Sequence, residues 1–198
     1  MSKSYAIDRD LQELAKMGDA LAKYIPSDTL YMSVSGGFFS ASTMPQLTIG
    51  AFLMRARRLT HLRQQLTPTQ QATLDHAIAQ HDDVRKEWAV HYEKKAVREG
   101  LSRLKSMTEF FRECRDSLKL CANSYGTEAL RRTIVQELLI AMSDYGYDTS
   151  EIIAQTRTTD GELRRWITES GFFWDSQLQA IYPRDTFWWL YGQPDAGE

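Results

Sequence analysis

From Pro68 to about Ala122 the chain offers few places for a strand to begin or a turn to form. The "LTPTQQ" stretch opens this region. Thr67 is placed to accept from first-turn amides, Pro68 fits the first helical position, and Gln70 completes a capping box. Leu74, Ile78, Trp88, Tyr92, Leu101, Leu104, Phe111, Cys114, Leu118 and Cys121 then mark an apolar stripe. Within it Leu104, Phe111 and Leu118 form a seven-residue series, and Met107, Cys114 and Cys121 a companion series. That spacing resembles a coiled coil and expects a facing helix. Without a break, such a helix approaches about 80 Å at about 1.5 Å per residue. Gly100 marks either a break or a close crossing, because glycine in a helix interior costs about 1 kcal/mol relative to alanine.

The flanking segments are also helical in pattern. Leu11, Leu14, Met17, Leu21 and Tyr24 recur at steps of three and four, and Pro26 ends that run. A second helix is expected over Leu47 to Gln65, with Ile49, Phe52, Leu53, Leu59 and Leu62 inward and Arg55, Arg58 and Arg63 facing water. Between the two, "PSDTLYMSVSGGFFSASTMPQL" reads as a loop packed down by Phe38 and Phe39, or else as a flap turning at Gly36 and Gly37. After "NSYGTEAL", an apolar helix carries Leu130, Ile134, Val135, Leu138, Leu139 and Met142 and ends through Gly146. Thr149 or Ser150 caps a short helix with Ile152 and Ile153, and a last helix is expected over Thr159 to Glu169.

The expected fold is therefore all-α: an elongated helical bundle or a long antiparallel helical hairpin, closed by an aromatic C-terminal clasp. One domain over residues 1–198 is the starting expectation, with a subdivision into a hairpin region, 1–122, and a compact end, 123–198.

The clasp is suggested by "YPRDTFWWLYGQP", which follows Phe172, Phe173, Trp174 and Ile181. Each large aromatic buries about 150 to 250 Å², too much apolar area for a solvated tail. Two uses compete: sealing the chain's own core, which we favour, or docking into a neighbouring protein, for which Trp, Tyr and Arg184 are good anchors. The residues singled out for packing or docking are Trp88, Tyr92, Leu104, Phe111, Leu118, Arg184, Trp188, Trp189 and Tyr191.

Charge narrows the choice of partner. With 24 Lys and Arg against 26 Asp and Glu, the whole surface is not built for phosphate backbones. Two basic groups remain, around Arg55 to Arg63 and around Lys94 to Lys105. If they joined into one face, Arg55, Arg58, Arg63, Lys94, Lys95 and Arg98 would contact nucleic acid. No zinc-finger spacing accompanies them.

Signals for chemistry are weak. His76, His81 and His91 lie near Asp75, Asp82, Asp83 and Glu87, but only Glu87 and His91 have helical pairing distance, and no Glu-x-x-His occurs. No metal or cofactor is expected. Cys114 and Cys121 lack a neighbouring histidine and read as small apolar core residues, consistent with a reducing compartment. Ser35 precedes Gly36 and Gly37 without a nucleophile elbow, so an enzyme site beneath the Ser33 to Thr43 segment ranks third. The acidic pairs Asp82–Asp83 and Asp144–Asp148 are tied to no cleft. The first residues form no apolar leader, and no run of apolar residues is long enough to span a bilayer, so a cytoplasmic protein is expected. The leading reading is a non-enzymatic interaction or assembly component with a protein partner or a second copy of itself. The alternative is a nucleic-acid-associated accessory protein.

Overall fold

The computed structural model describes residues 5–34 and 44–195, and it is all-α, as expected. Its α-helices are α1 (Ile7–Tyr24), α2 (Ile49–His61), α3 (Pro68–Glu87), α4 (Ala89–Asp116), α5 (Leu118–Asp144) and α6 (Ser150–Trp166). A two-stranded ribbon pairs β1 (Ile167–Glu169) with β2 (Gly192–Pro194). The chain forms two compact units, Ala6–Glu99 and Gly100–Glu198 with Met1–Tyr5, and the division falls within α4.

In the first unit, α1 lies against α2 and α3. The three-and-four spacing along α1 places Leu14, Met17, Leu21 and Tyr24 on one face, all fully buried. Phe52 and Leu59 of α2 and Leu74 and Ala77 of α3 are buried as well. The predicted capping box forms: Thr67 Oγ1 accepts from the Gln70 N–H, and the Gln70 side chain accepts from the Thr67 N–H. Each such cap stabilises a helix start by about 1 kcal/mol.

Two charged residues one turn apart on α4 finish the ends of other helices. Lys95 Nζ donates to the carbonyls of Tyr24, Ser27 and Thr29 at 2.6, 2.7 and 2.9 Å, at the last residue of α1 and just beyond it. Its ammonium also stands 4.0 Å from the Tyr24 ring. Glu99, fully buried, accepts from the Gly50 N–H at 3.0 Å in the first turn of α2. Both placements suit the helix dipole, a cation at the negative end and an anion at the positive end.

The helical region read from Pro68 to Ala122, with a break or a close crossing left open at Gly100, is interrupted twice, at neither place by Gly100. Trp88 leaves helical geometry at φ −114°, ψ 37°, although its N–H still donates to the Val84 carbonyl and its carbonyl accepts from the Tyr92 N–H. The interruption is thus a kink with its hydrogen bonds kept. At Ser117 the chain turns, and the Ser117 hydroxyl accepts from the Leu120 N–H to start α5. Gly100, by contrast, does not break α4. A Cβ there would lie 3.1 Å from Ile152 Cδ1, so the glycine permits a close crossing within the second unit.

The Ser117 turn also corrects the reading of the cysteines. Seven residues along a straight helix separate Cα atoms by about 10.5 Å. The turn brings Cys114 and Cys121 to 4.6 Å, and they form a disulfide. They are paired, not separate apolar thiols, so cysteine usage no longer supports a reducing compartment. The same turn interrupts the seven-residue series: Leu104 and Phe111 are buried, whereas Leu118 is exposed.

In the second unit α5 runs through "NSYGTEAL" without a stop and is buried on several sides, at Tyr125, Ala129, Thr133, Val135 and Leu138 among others. Gly146 ends it as predicted, with φ 72°, where side chains beyond glycine are strained. Its N–H donates to the Ser143 carbonyl and the Tyr147 N–H to the Met142 carbonyl, the two bonds of a Schellman motif. The expected short helix and last helix are one element, α6, which stops at Trp166 instead of Glu169. The next residues pair as a strand in the register Ile167↔Pro194, Thr168↔Gln193 and Glu169↔Gly192.

Candidate functional site, an arginine and aromatic cleft near the C-terminus

The C-terminal aromatics divide into an inner and an outer set. Tyr182, Phe187, Trp189 and Leu190 are buried, so this part of the tail does seal the core of its own unit. Trp189 is held from several directions. Its indole Nε1–H donates to Thr133 Oγ1 at 3.0 Å, and its carbonyl accepts from the Tyr125 hydroxyl at 2.6 Å. The Arg132 guanidinium stands 3.9 Å from its ring centroid and makes a two-bond pair with Asp160 at 2.7 and 3.0 Å. Burial pushes the Tyr125 hydroxyl well above the usual phenol range, so it stays protonated and donating. A satisfied buried network of this kind fixes the 3₁₀ turn Trp188–Tyr191.

That fixed turn presents the outer set. Trp188 is half-buried, and the Arg164 guanidinium from the end of α6 lies 3.7 Å from its ring centroid. Tyr191, also half-buried, donates from its hydroxyl to the Tyr182 carbonyl at 2.9 Å and packs beside Phe172. Burial raises the Tyr191 pKa while Arg184 opposes the shift, leaving the phenol neutral at pH 7. Arg184 pairs with Glu169 and stands 5.8 Å from the Tyr191 ring. These side chains, with Thr168 and Gly192 of the ribbon, enclose a cleft of about 310 Å³. That is the lower end of the range for small-ligand and side-chain pockets.

The electrostatics of the cleft are asymmetric. Arg164 has no ion-pair partner among the described residues, whereas the carboxylate beside Arg184 is itself largely exposed. A guanidinium held over an indole face by a cation–π contact still has N–H donors to offer a planar acceptor. The site can therefore take a carboxylate edge-on while Trp188 and Tyr191 supply apolar area.

Sequence reasoning named Arg184, Trp188, Trp189 and Tyr191, and all four meet at this end of the unit. It passed over Arg164 and Glu169, which read as ordinary helix residues. No local signal marks them, because Trp188 reaches Arg164 only once the ribbon and the tail have folded back. Trp88, Tyr92, Leu104, Phe111 and Leu118 lie elsewhere. Tyr92 is buried with its hydroxyl 2.8 Å from His81 Nε2, and Trp88 stands edge-on to His91.

The basic face expected of Arg55, Arg58, Arg63, Lys94, Lys95 and Arg98 does not form as an exposed surface. Arg55 points inward and donates from Nε and Nη2 to Glu13 Oε2 at 2.9 and 2.6 Å, and Arg58 reaches Asp10 Oδ2 at 3.4 Å. The inward turn has a physical reason: the acids on α1 face α2, and a buried carboxylate needs a cation. Lys95 is buried as described, and burial, with Arg98 adding repulsion, pulls its ammonium down to about 8. Arg63 pairs with Asp75 at the surface, while Lys94 and Arg98 are exposed.

Other sites read from the sequence are dispersed. His81 is stacked on Phe52 at 5.0 Å and bonded to Asp82, and His76 and His91 are exposed. Among the described residues no three His, Cys, Asp or Glu side chains stand together as metal ligands. Asp148 accepts from the Ser150 N–H, which lowers its pKa, a helix-start role. Most of the Ser33 to Thr43 segment, from Ser35 onward, lies outside the described residues. Among the described residues no helix is long and apolar enough to cross a membrane.

No family model matches the chain, and no curated protein and no solved structure shows significant similarity to it.

Proposed function

We propose that this protein is a non-enzymatic interaction component that docks an acidic, apolar-anchored peptide segment of a protein partner in the cleft of Arg164, Trp188, Arg184 and Tyr191. The observation that carries this reading is the Arg164 guanidinium lying on a half-buried Trp188 with no carboxylate of its own among the described residues. Arginine and tryptophan placed this way are the residue types that dominate binding energy at protein interfaces. A partner carboxylate would pair with Arg164 and compete with Glu169 for Arg184, and an adjacent Leu or Phe would lie against Trp188 and Tyr191. The rigid backing of Trp189 supports the reading, since a preformed site loses less conformational freedom on binding.

The test is calorimetric titration with short peptides carrying Glu or Asp beside Leu or Phe, with matched Lys-containing and Gln-containing peptides as controls. The acidic series is expected to bind in the micromolar range, with at least about tenfold loss on Arg164→Glu. No binding by any acidic peptide, or equal binding by the Lys series, would defeat the proposal. Light scattering on the isolated protein gives the second copy its own outcome: dimerisation abolished by Arg164→Glu would make that copy the occupant.

A further inference from the structure

The ribbon beside the aromatic cleft has two unlike edges. β2 packs against α5, whereas the elements packed most closely on β1 are β2 itself and α6, which precedes it in the chain. Thr168 and Glu169 of β1 are exposed. The outer edge of β1 is therefore the side on which another chain could lie.

The register fixes which backbone groups face that edge. In an antiparallel pair, opposed residues alternate between those that exchange both hydrogen bonds and those whose N–H and C=O turn away from each other. The Ser170 N–H donates to the Tyr191 carbonyl at 2.9 Å, one step beyond the Glu169↔Gly192 pair. Thr168↔Gln193 is then the next bonded pair, and Glu169↔Gly192 and Ile167↔Pro194 are the pairs that turn away. Pro194 agrees with this assignment, because it has no N–H to give to Ile167. The N–H and C=O of Ile167 and Glu169 thus point along the outer edge. Ile167 is already extended, at φ −110° and ψ 139°, and among the described residues these groups have no hydrogen-bond partner.

The cleft runs along this edge. Successive side chains of a strand point to opposite faces, yet Ile167, Thr168 and Glu169 all line the concavity. Charge is placed at both ends of the strand: Arg164 lies just before Ile167 at the end of α6, and Arg184 pairs with Glu169.

We infer that the acidic partner segment binds as a third strand on β1, its backbone exchanging hydrogen bonds with Ile167 and Glu169 while its carboxylates meet Arg164 and Arg184. This rests on the docking proposed for the same cleft and adds the form that the peptide takes. An extended chain offers N–H and C=O groups to an open edge, whereas a helix has already used its own. A second copy is the poorer occupant, since pairing through β1 would bring another Glu169 onto the same edge, and a charged, short edge strand discourages self-pairing.

The experiment uses the full chain and one probe, the capped peptide Thr-Val-Glu-Leu-Val-Thr, with its set of single N-methyl variants, titrated by calorimetry. N-methylation removes one peptide N–H and leaves every side chain in place. The loss of affinity is expected to alternate along the peptide, at least about tenfold at every second residue and less than about threefold at those between. Saturating peptide is expected to slow amide exchange at Ile167 and Glu169 at least about tenfold, with Thr168, whose amide already faces Gln193, changing less. An N-methyl series without alternation, or unchanged exchange at Ile167 and Glu169, would overturn the strand and leave acidic docking standing. Failure of the parent peptide to bind, or binding indifferent to Arg164→Glu, would remove the docking and the strand together.

Discussion

The two units use their cations in opposite ways. In Ala6–Glu99, Arg55, Arg58 and Lys95 are buried, matched to Asp10, Glu13 and backbone carbonyls, and serve to join α1, α2 and α4. In the second unit, Arg132 does the same beneath Trp189, but Arg164 and Arg184 lie at the surface over Trp188 and Tyr191. A cluster of arginines in sequence thus marks a structural tie in one unit, while two arginines twenty residues apart make the candidate binding cleft in the other. What separates the cases is whether an acid on a neighbouring helix claims the charge.

The largest effect is expected from removing what backs the cleft. Trp189→Ala deletes a fully buried indole, takes from Thr133 Oγ1 its Nε1–H donor and from Arg132 the ring it stands over, and is expected to destabilise the protein by about 4 kcal/mol in urea denaturation. Arg55→Ala takes from the buried Glu13 the guanidinium that donates to it twice, leaves Arg58 facing Asp10, and is expected to cost about 3 kcal/mol by the same measurement. If Arg55→Ala were neutral while Arg164→Ala destabilised strongly, the contrast between the units would be reversed.

Acidity separates the units next. Burial, with Glu113 nearby and despite Arg131, raises Glu128 from 4.5 to about 7. The folded state then holds a proton that the unfolded chain gives up, so this contribution is present below about pH 4.5 and is lost as pH rises through 7. The span corresponds to on the order of 3 kcal/mol. His81 behaves oppositely: burial lowers its pKa below 6.5 despite Asp82, so its contribution is present above that value and lost as pH falls. Amide exchange corrected for intrinsic rates is expected to show α3 better protected at pH 7 than at pH 5, and α5 the reverse. Glu128→Gln is expected to flatten the slope in α5 alone.

Much of the architecture was legible in local pattern. The Thr67–Gln70 capping box, the end at Gly146 and the inward face of α1 follow from residues within one or two turns of each other. The breaks at Trp88 and Ser117 were hidden because neither follows a glycine or proline, and the helical spacing resumes directly after each. The disulfide was hidden for the same reason, since its geometry exists only once Ser117 turns the chain. Of the cleft, the aromatic half was visible as an apolar run, whereas Arg164 is placed by the pairing of β1 with β2 and has no signature of its own.

The smallest stability effect is expected at the rim. Arg184→Ala removes an exposed pair with Glu169 and is expected to change stability by no more than about 1 kcal/mol, while weakening acidic-peptide binding several-fold. A large loss of stability there would make Arg184 a structural residue like Arg55.

The division between an inner clamp and an outer docking surface is tested most directly by Arg164→Glu, read for melting temperature and acidic-peptide affinity on the same sample. The expected result is a melting temperature within about 3 °C of the parent chain, with affinity reduced at least about tenfold. A variant that keeps its affinity, or one that loses affinity only because it no longer folds, would contradict the account.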